Sequence, residues 1–260
     1  MMAKSIKRVV LIVLIGVFLY SGYQLAQYLY DGYKSSNLND RIREQYEAAQ
    51  KLKDNSQNAG HQIEQEALTE EQLKQIYQER FAPLLEINSD VVGWISIDNT
   101  GIDYPVVKSN DNDYYLNHNV EKKRSARGSI FMDYRNADLN DDLHTVIYGH
   151  YMKDGSMFGE LSKYKDAAYY QGHDRIIFEG IEEPAEYQIF SVYIYSPEDQ
   201  FFEYEFADEQ QYHAYLDKIT KKSRYDTGIT VTPDDQLLTL VTCTYEVTDA
   251  RLIIHAKRVD

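Results

Sequence analysis

The sequence predicts a mainly β fold: a closed or nearly closed barrel of eight short strands with helices on its amino-terminal side, carried behind one apolar helix of membrane length. Three observations predict it. An uncharged apolar stretch opens the chain, a polar helical stretch follows, and from residue 91 onward short apolar runs recur between turn residues eight times. With 260 residues, 43% of them hydrophobic, the chain has room for one sizeable domain plus an appendage, and a wholly disordered chain is excluded.

The apolar helix comes first. Lys4, Lys7 and Arg8 precede the uncharged stretch from Val9 to Tyr30, which begins VVLIVLIGVFLY. Those residues make a helix of about 33 Å, matching a hydrocarbon core of roughly 30 Å. The basic flank stays on the cytoplasmic side, so everything after Asp31 lies outside the cell, and Tyr23, Tyr28, Tyr30 and Tyr33 suit the outer interface. A cleaved signal peptide is the alternative. No small-x-small pattern follows the apolar core, so an uncleaved single-pass anchor is expected. Residues 1–8 therefore read as a cytoplasmic basic terminus, 9–30 as the transmembrane anchor, 31–68 as an extracellular helical stalk and 69–260 as the main domain.

From Ser35 to Asn88 the chain is polar and helical, with a break expected at DNSQNAGH, residues 54–61. The helix after it has a readable start. Thr69 can cap it, Gln72 stands at the capping-box position and Leu68 can staple onto Leu73. The eight strand-like runs are VVGWISI (91–97), IDYPVV (102–107), GSIFMD (128–133), TVIYGH (145–150), DRIIFEG (174–180), AEYQIFSVYIY (185–195), LLTLVTCTY (237–245) and RLIIHAKRV (251–259). About forty residues separate the sixth run from the seventh, too many for a hairpin. Part of this insert should be a helix from about Asp208 to Lys222. Asp208 and Gln211 form a capping box there, ahead of Tyr212, Tyr215, Leu216 and Ile219 at helical spacing, and the helix would cover one barrel face.

Charge and cysteine count narrow the function. Forty-two acidic against 27 basic residues give a net charge of −15, and no basic patch interrupts it, so no nucleic-acid partner is expected. The single cysteine, Cys243, excludes an intrachain disulfide and a zinc site of paired thiolates. Asp111 and Asp113 in SNDNDYYLNHN begin like a calcium loop, but Leu116 stands where the turn glycine belongs and no glutamate closes it. No phosphate-binding glycine loop occurs either. Neither metal nor cofactor is expected.

A lone cysteine in an exported domain is a candidate nucleophile. Cys243 ends an apolar run, and Arg251 opens the next. If those runs pair as an antiparallel hairpin, the two residues emerge side by side at one end of the sheet. A guanidinium there can raise the thiolate fraction or bind an oxyanion. The alternatives are a buried inert cysteine and an Arg251 paired with Glu246 or Asp249. His150, after Gly149 at the end of the fourth run, is placed to exchange protons near neutral pH. His118, His144, His173, His213 and His255 compete. His255 is the strongest rival, lying four residues beyond Arg251 and on the same strand face.

The segments TLVTC with a downstream arginine (239–251), VIYGHYMKDGSMFGEL (146–161), DNDYYLNHN (111–119) and GSIFMDYRN (128–136) resemble those of class B sortases, over about residues 70–260. The resemblance implies a bacterial cell-surface cysteine transpeptidase with an eight-stranded sortase barrel, and it makes 69–260 the catalytic domain. It carries a catalytic triad onto His150, Cys243 and Arg251, and substrate contacts onto Asn112, Leu116, Tyr193, Ile194 and Thr242. The partners it implies are secreted proteins bearing a carboxy-terminal sorting signal of NPxTx or related type, with a peptidoglycan cross-bridge or pilin amine as acceptor. A membrane-tethered endopeptidase using water, and a catalytically silent surface binding module, remain open beside it.

Overall fold

The computed structural model describes residues 2–59, 69–137, 142–195, 203, 206–243 and 250–259, with the side chains of 2–5, 50–59, 70, 73 and 243 outside that description. The chain divides into two units, Met1–Arg41 and Ile42–Asp260. Helix α1 (Met2–Ala59) makes up the first unit and enters the second. Its large apolar side chains from Ile6 to Tyr33 are exposed, and its most apolar window has a mean hydropathy of 2.1 with none of it buried. It is long and apolar enough to cross a membrane.

The helix also passes through residues 54–59, where the polar composition had suggested a break. Asp54, Asn55, Ser56 and Asn58 each cost a helix well under about 1 kcal/mol, and the strong breaker, Gly60, comes only after Ala59. Residues 60–68 lie outside the described residues, and with them the proposed Leu68–Leu73 staple. Helix α2 (Glu70–Ile87) starts as its sequence requires. The Thr69 side chain accepts from the Gln72 N–H, and the Gln72 side chain accepts from the Thr69 N–H.

In the second unit the helical segments are tied to the barrel by Glu179. This carboxylate pairs with Arg80 of α2 and accepts from the Tyr46 hydroxyl at 2.7 Å. The Tyr46 ring stacks on Trp94 with centroids 4.4 Å apart.

All eight apolar runs form strands: β1 (Val91–Ser96), β2 (Asp103–Val107), β3 (Ile130–Met132), β4 (His144–Tyr148), β5 (Arg175–Gly180), β6 (Pro184–Tyr195), β7 (Leu237–Cys243) and β8 (Arg251–Arg258). They close into a barrel in the order β1-β2-β3-β4-β7-β8-β6-β5. The pairs β2/β3 and β4/β7 are parallel, and the others are antiparallel. Strand β4 stops at Tyr148, so His150 lies two residues beyond it and not within it.

Strand alternation sorts the side chains onto two faces. Ile147, Leu238, Leu240, Leu252 and Ile254 fill the interior, whereas Val146, Leu237, Val241 and Ile253 face outward. The outer face is covered by α4 (Glu209–Lys221), which buries Tyr212, Tyr215, Leu216 and Ile219 against it as their spacing predicts. Asp208 caps α4 by accepting from the Gln211 N–H at 2.8 Å, and the Gln211 side chain reaches back to the Ala207 N–H. Between β4 and β5 lie a 3-10 turn (Gly159–Lys165) and the short helix α3 (Ala167–Tyr170).

Candidate active site

One end of the sheet brings His150, Cys243 and Arg251 into a row. Tyr148 of β4 stands opposite Val241 of β7, and the Gly149 N–H donates to the Val241 carbonyl at 3.1 Å. His150 and Cys243 are each two residues past that pair. On the other side of β7, Cys243 pairs with Arg251. Positions 243 and 251 therefore stand on adjacent strands about 5 Å apart, and His150 lies just past the end of β4 on the other side of β7. By alternation Arg251 shares the outward parity of Ile253. The Cys243 side chain and residues 244–249, including Glu246 and Asp249, lie outside the described residues.

Local sequence explains how His150 reaches this place. A Cβ at position 149 would lie 2.5 Å from Ile130 Cδ1 and 2.6 Å from the Phe158 ring, so only glycine lets the backbone pack this closely as it leaves β4. The Phe158 N–H then donates to the His150 carbonyl at 3.0 Å. The half-buried His150 ring donates from Nε2 to the Leu116 carbonyl at 2.7 Å. Leu116 ends the 3-10 turn Tyr114–Leu116. Arg251 is half-buried, with an Nη1 contact to the Ala250 carbonyl at 3.3 Å.

The rival histidines have other work. His255 is fully buried beneath α4, and burial, with His144 nearby, pushes its pKa well below the ordinary imidazole value. Burial also pushes His144 down to about 4. The two belong to one hydrogen-bonded chain whose proton order is determined. The Glu203 carbonyl can only accept, so His144 Nδ1 donates to it at 2.8 Å. His144 Nε2 then accepts from the Thr239 hydroxyl (2.7 Å), that oxygen accepts from His255 Nδ1 (2.6 Å), and His255 Nε2 accepts from the Tyr193 hydroxyl (3.0 Å). His118 and His173 each donate to the carbonyl four residues back and stack on that residue's ring, a structural turn used twice. His213 is exposed on α4.

The five residues nominated for substrate contact occupy different settings. Leu116 is 39% exposed, beside His150. Ile194 is half-buried against the barrel interior. The Asn112 amide is engaged at both ends, donating to Asp133 (2.8 Å) and accepting from the Tyr134 N–H (3.1 Å). Tyr193 is buried and bonded to His255. Thr242 is buried, and among the described residues its hydroxyl has no hydrogen-bond partner. The resemblance to a calcium loop has a local explanation, because Asp111 Oδ1 accepts from the N–H groups of Asp113 and Tyr114. Those bonds lower its pKa. Among the described residues no three His, Cys, Asp or Glu side chains are grouped to hold a metal ion.

Sequence reasoning missed Asp133, a fully buried carboxylate next to this row. It also missed the Leu116 carbonyl, which a side-chain pattern cannot signal.

Comparison with known proteins identifies the family of the chain. The Sortase domain family model matches residues 95–259. Sortase B of Listeria monocytogenes is 34% identical over 252 residues, which cover 95% of this chain and 94% of that protein. The crystal structure of sortase B from B. anthracis is 35% identical, with a TM-score of 0.74 over 89% of this chain and 99% of that one. A Staphylococcus aureus sortase B–substrate complex is 29% identical, with a TM-score of 0.74 over 88% of this chain and 98% of that one.

Proposed function

The chain belongs to the sortase family, class B, a family of cysteine transpeptidases, and from that membership we propose that it is anchored in the membrane and joins exported proteins to a surface amine through a thioester on Cys243. The observation that carries the reading is the backbone juxtaposition at one end of the sheet: 243 pairs with 251 across β7 and β8, and 150 and 243 each lie two residues past the β4/β7 pair Tyr148 and Val241. A nucleophile in the centre has an acid/base on one side and an oxyanion donor on the other.

In the proposed reaction the Cys243 thiolate attacks the carbonyl of a threonine in a carboxy-terminal sorting signal. Arg251 donates hydrogen bonds to the oxyanion of the tetrahedral intermediate. His150 protonates the departing amine, the C–N bond breaks and a thioester remains. The acceptor amine then attacks that thioester, His150 takes its proton, and Cys243 leaves as thiolate. Leu116 and Ile194, with Asn112, Tyr193 and Thr242, are the proposed substrate-side residues. The Staphylococcus aureus complex supports a substrate of this kind, since that sortase B is described with its substrate bound.

Helix α1 supports the anchor. Lys4, Lys7 and Arg8 favour a cytoplasmic amino terminus and an extracellular catalytic domain. Tethering holds the enzyme beside substrates that are themselves retained in the membrane during export, which raises their effective concentration. The proposed acceptor is an amine of the Gram-positive cell-wall cross-bridge or of a pilin.

Product analysis with a sorting-signal peptide tests the reading. Added amine should divert product from the free acid to the amide in proportion to its concentration. Hydrolysis unaffected by any amine would make the protein an endopeptidase. No turnover and no Cys243 adduct would make it a binding module.

A further inference from the structure

Asp133 lies one residue past β3, fully buried, and its carboxylate gathers two segments that converge on His150. Oδ1 accepts from the Arg135 N–H (3.0 Å) and from Arg135 Nε (2.8 Å). Oδ2 accepts from Arg135 Nη2 (2.8 Å), Asn112 Nδ2 (2.8 Å) and the Tyr148 hydroxyl (2.9 Å). Tyr148 is the last residue of β4, two before His150. Asn112 lies in the loop that ends at Leu116, whose carbonyl receives the His150 proton. One carboxylate thus ties the strand that delivers the histidine to the loop that delivers its acceptor.

The far end of that loop is seated on Gly128. Its φ is +57°, and a Cβ there would lie 2.4 Å from the Tyr115 carbonyl oxygen and 2.7 Å from that of Leu116. Glycine alone meets both demands, and the neighbouring Ser129 N–H donates to the Tyr115 carbonyl at 3.0 Å.

A carbonyl only accepts, so while this bond holds, Nε2 carries a proton in both the neutral and the cationic form of His150. The proton that comes and goes is then the one on Nδ1. We propose that Asp133 is a positioning residue: it clamps the 111–117 loop to β4 so that the Leu116 carbonyl holds His150 as the Nε2–H tautomer and assigns proton exchange with the reacting amine to Nδ1. The inference rests on the reading of His150 as the acid/base and names the atom and the residue that make it so.

The test uses the full chain in detergent micelles with 15N-labelled histidine, the His150 signals being assigned by their loss in His150→Ala. In the unsubstituted protein the ring should report Nε2–H. Asp133→Asn keeps the shape but sets an amide among groups that are all donors, so the clamp should open. The His150 ring should become a mixture of tautomers and kcat should fall about 10-fold to 100-fold with KM nearly constant, as displacement of a reacting group requires. Tyr148→Phe severs only the β4 link and should move the same two observables less. An Nε2–H ring and unchanged kcat in Asp133→Asn would overturn the proposal. If that variant failed to fold, the same result in Tyr148→Phe would overturn it. Full activity in His150→Ala would instead sink the acid/base reading, while the tautomer result would stand independently.

Discussion

Two groups of histidines lie along the β4-β7-β8 sheet, and they differ in burial. Under α4, His144 and His255 are fully buried and bonded at both nitrogens, in a chain whose protons are ordered from the Glu203 carbonyl to the Tyr193 hydroxyl. Just past the end of β4, His150 is half-buried and donates from Nε2 to the Leu116 carbonyl. The residue type is the same. Burial sets His144 and His255 apart from the proposed acid/base, because it disfavours the cation and a filled hydrogen-bond chain has no place for a second proton.

The contrast can be broken most severely at the nucleophile. Cys243→Ala should reduce peptide cleavage by about 10⁴-fold or more with the fold intact, as loss of a nucleophile does elsewhere, and circular dichroism beside a turnover assay checks both halves. Appreciable cleavage by the variant would remove Cys243 from the reaction.

His150→Ala should cost about 10²-fold to 10⁴-fold in rate with little change in stability. His255→Ala should do the reverse. Activity per folded molecule should stay within a few-fold, while stability falls by about 1 to 3 kcal/mol as the buried bonds of His255 to the Thr239 and Tyr193 hydroxyls are lost. Urea melts and kcat measured on both variants decide it, and parallel losses in the two would erase the distinction.

Arg251→Lys sharpens the electrostatics beside Cys243. Lysine keeps the charge but loses the planar fork, so acylation should slow about 100-fold to 1000-fold while alkylation of Cys243 by a small reagent changes only slightly. A matched fall in both rates would mean that Arg251 acts on the thiol.

The last contrast concerns pH and leaves the sequence unchanged. His144 titrates near 4 in the fold against 6.5 in the unfolded chain, so the uncharged form is the folded form. Stability should be complete above about 6.5 and fall as pH drops toward 4. The loss should be roughly 3 kcal/mol from His144, with His255 adding in the same direction. Urea midpoints between pH 7 and pH 4 should show this slope in the unsubstituted protein and a shallower one in His144→Gln.

Much of the fold was legible because it rests on local rules. Eight apolar runs became eight strands, and the capping residues Thr69 and Asp208 began α2 and α4. The pairing of Cys243 with Arg251 followed from two runs joined by a short connection. Alternation placed His255 on the correct face, but four residues along a strand is about 13 Å, far enough to carry it beneath α4. That depth comes from an insert whose docking no strand pattern reports. The Leu116 carbonyl and the Asp133 clamp were illegible for a related reason. A backbone acceptor leaves no mark in residue type, and Asp133 meets Asn112 and Tyr148 across 21 and 15 residues of chain. The continuation of α1 through residues 54–59 also escaped, since polar residues that are only weakly unfavourable do not end a helix.

Acyl transfer at the end of the sheet that holds positions 150, 243 and 251 is the activity proposed for this protein. Intact-mass spectrometry of the full chain, quenched in acid during turnover of a threonine-containing sorting peptide, tests it most directly. The account predicts an adduct on Cys243 equal to the peptide portion ending in threonine, discharged by hydroxylamine and accumulating less in Arg251→Lys. An unmodified Cys243 while the peptide is being cleaved would contradict it.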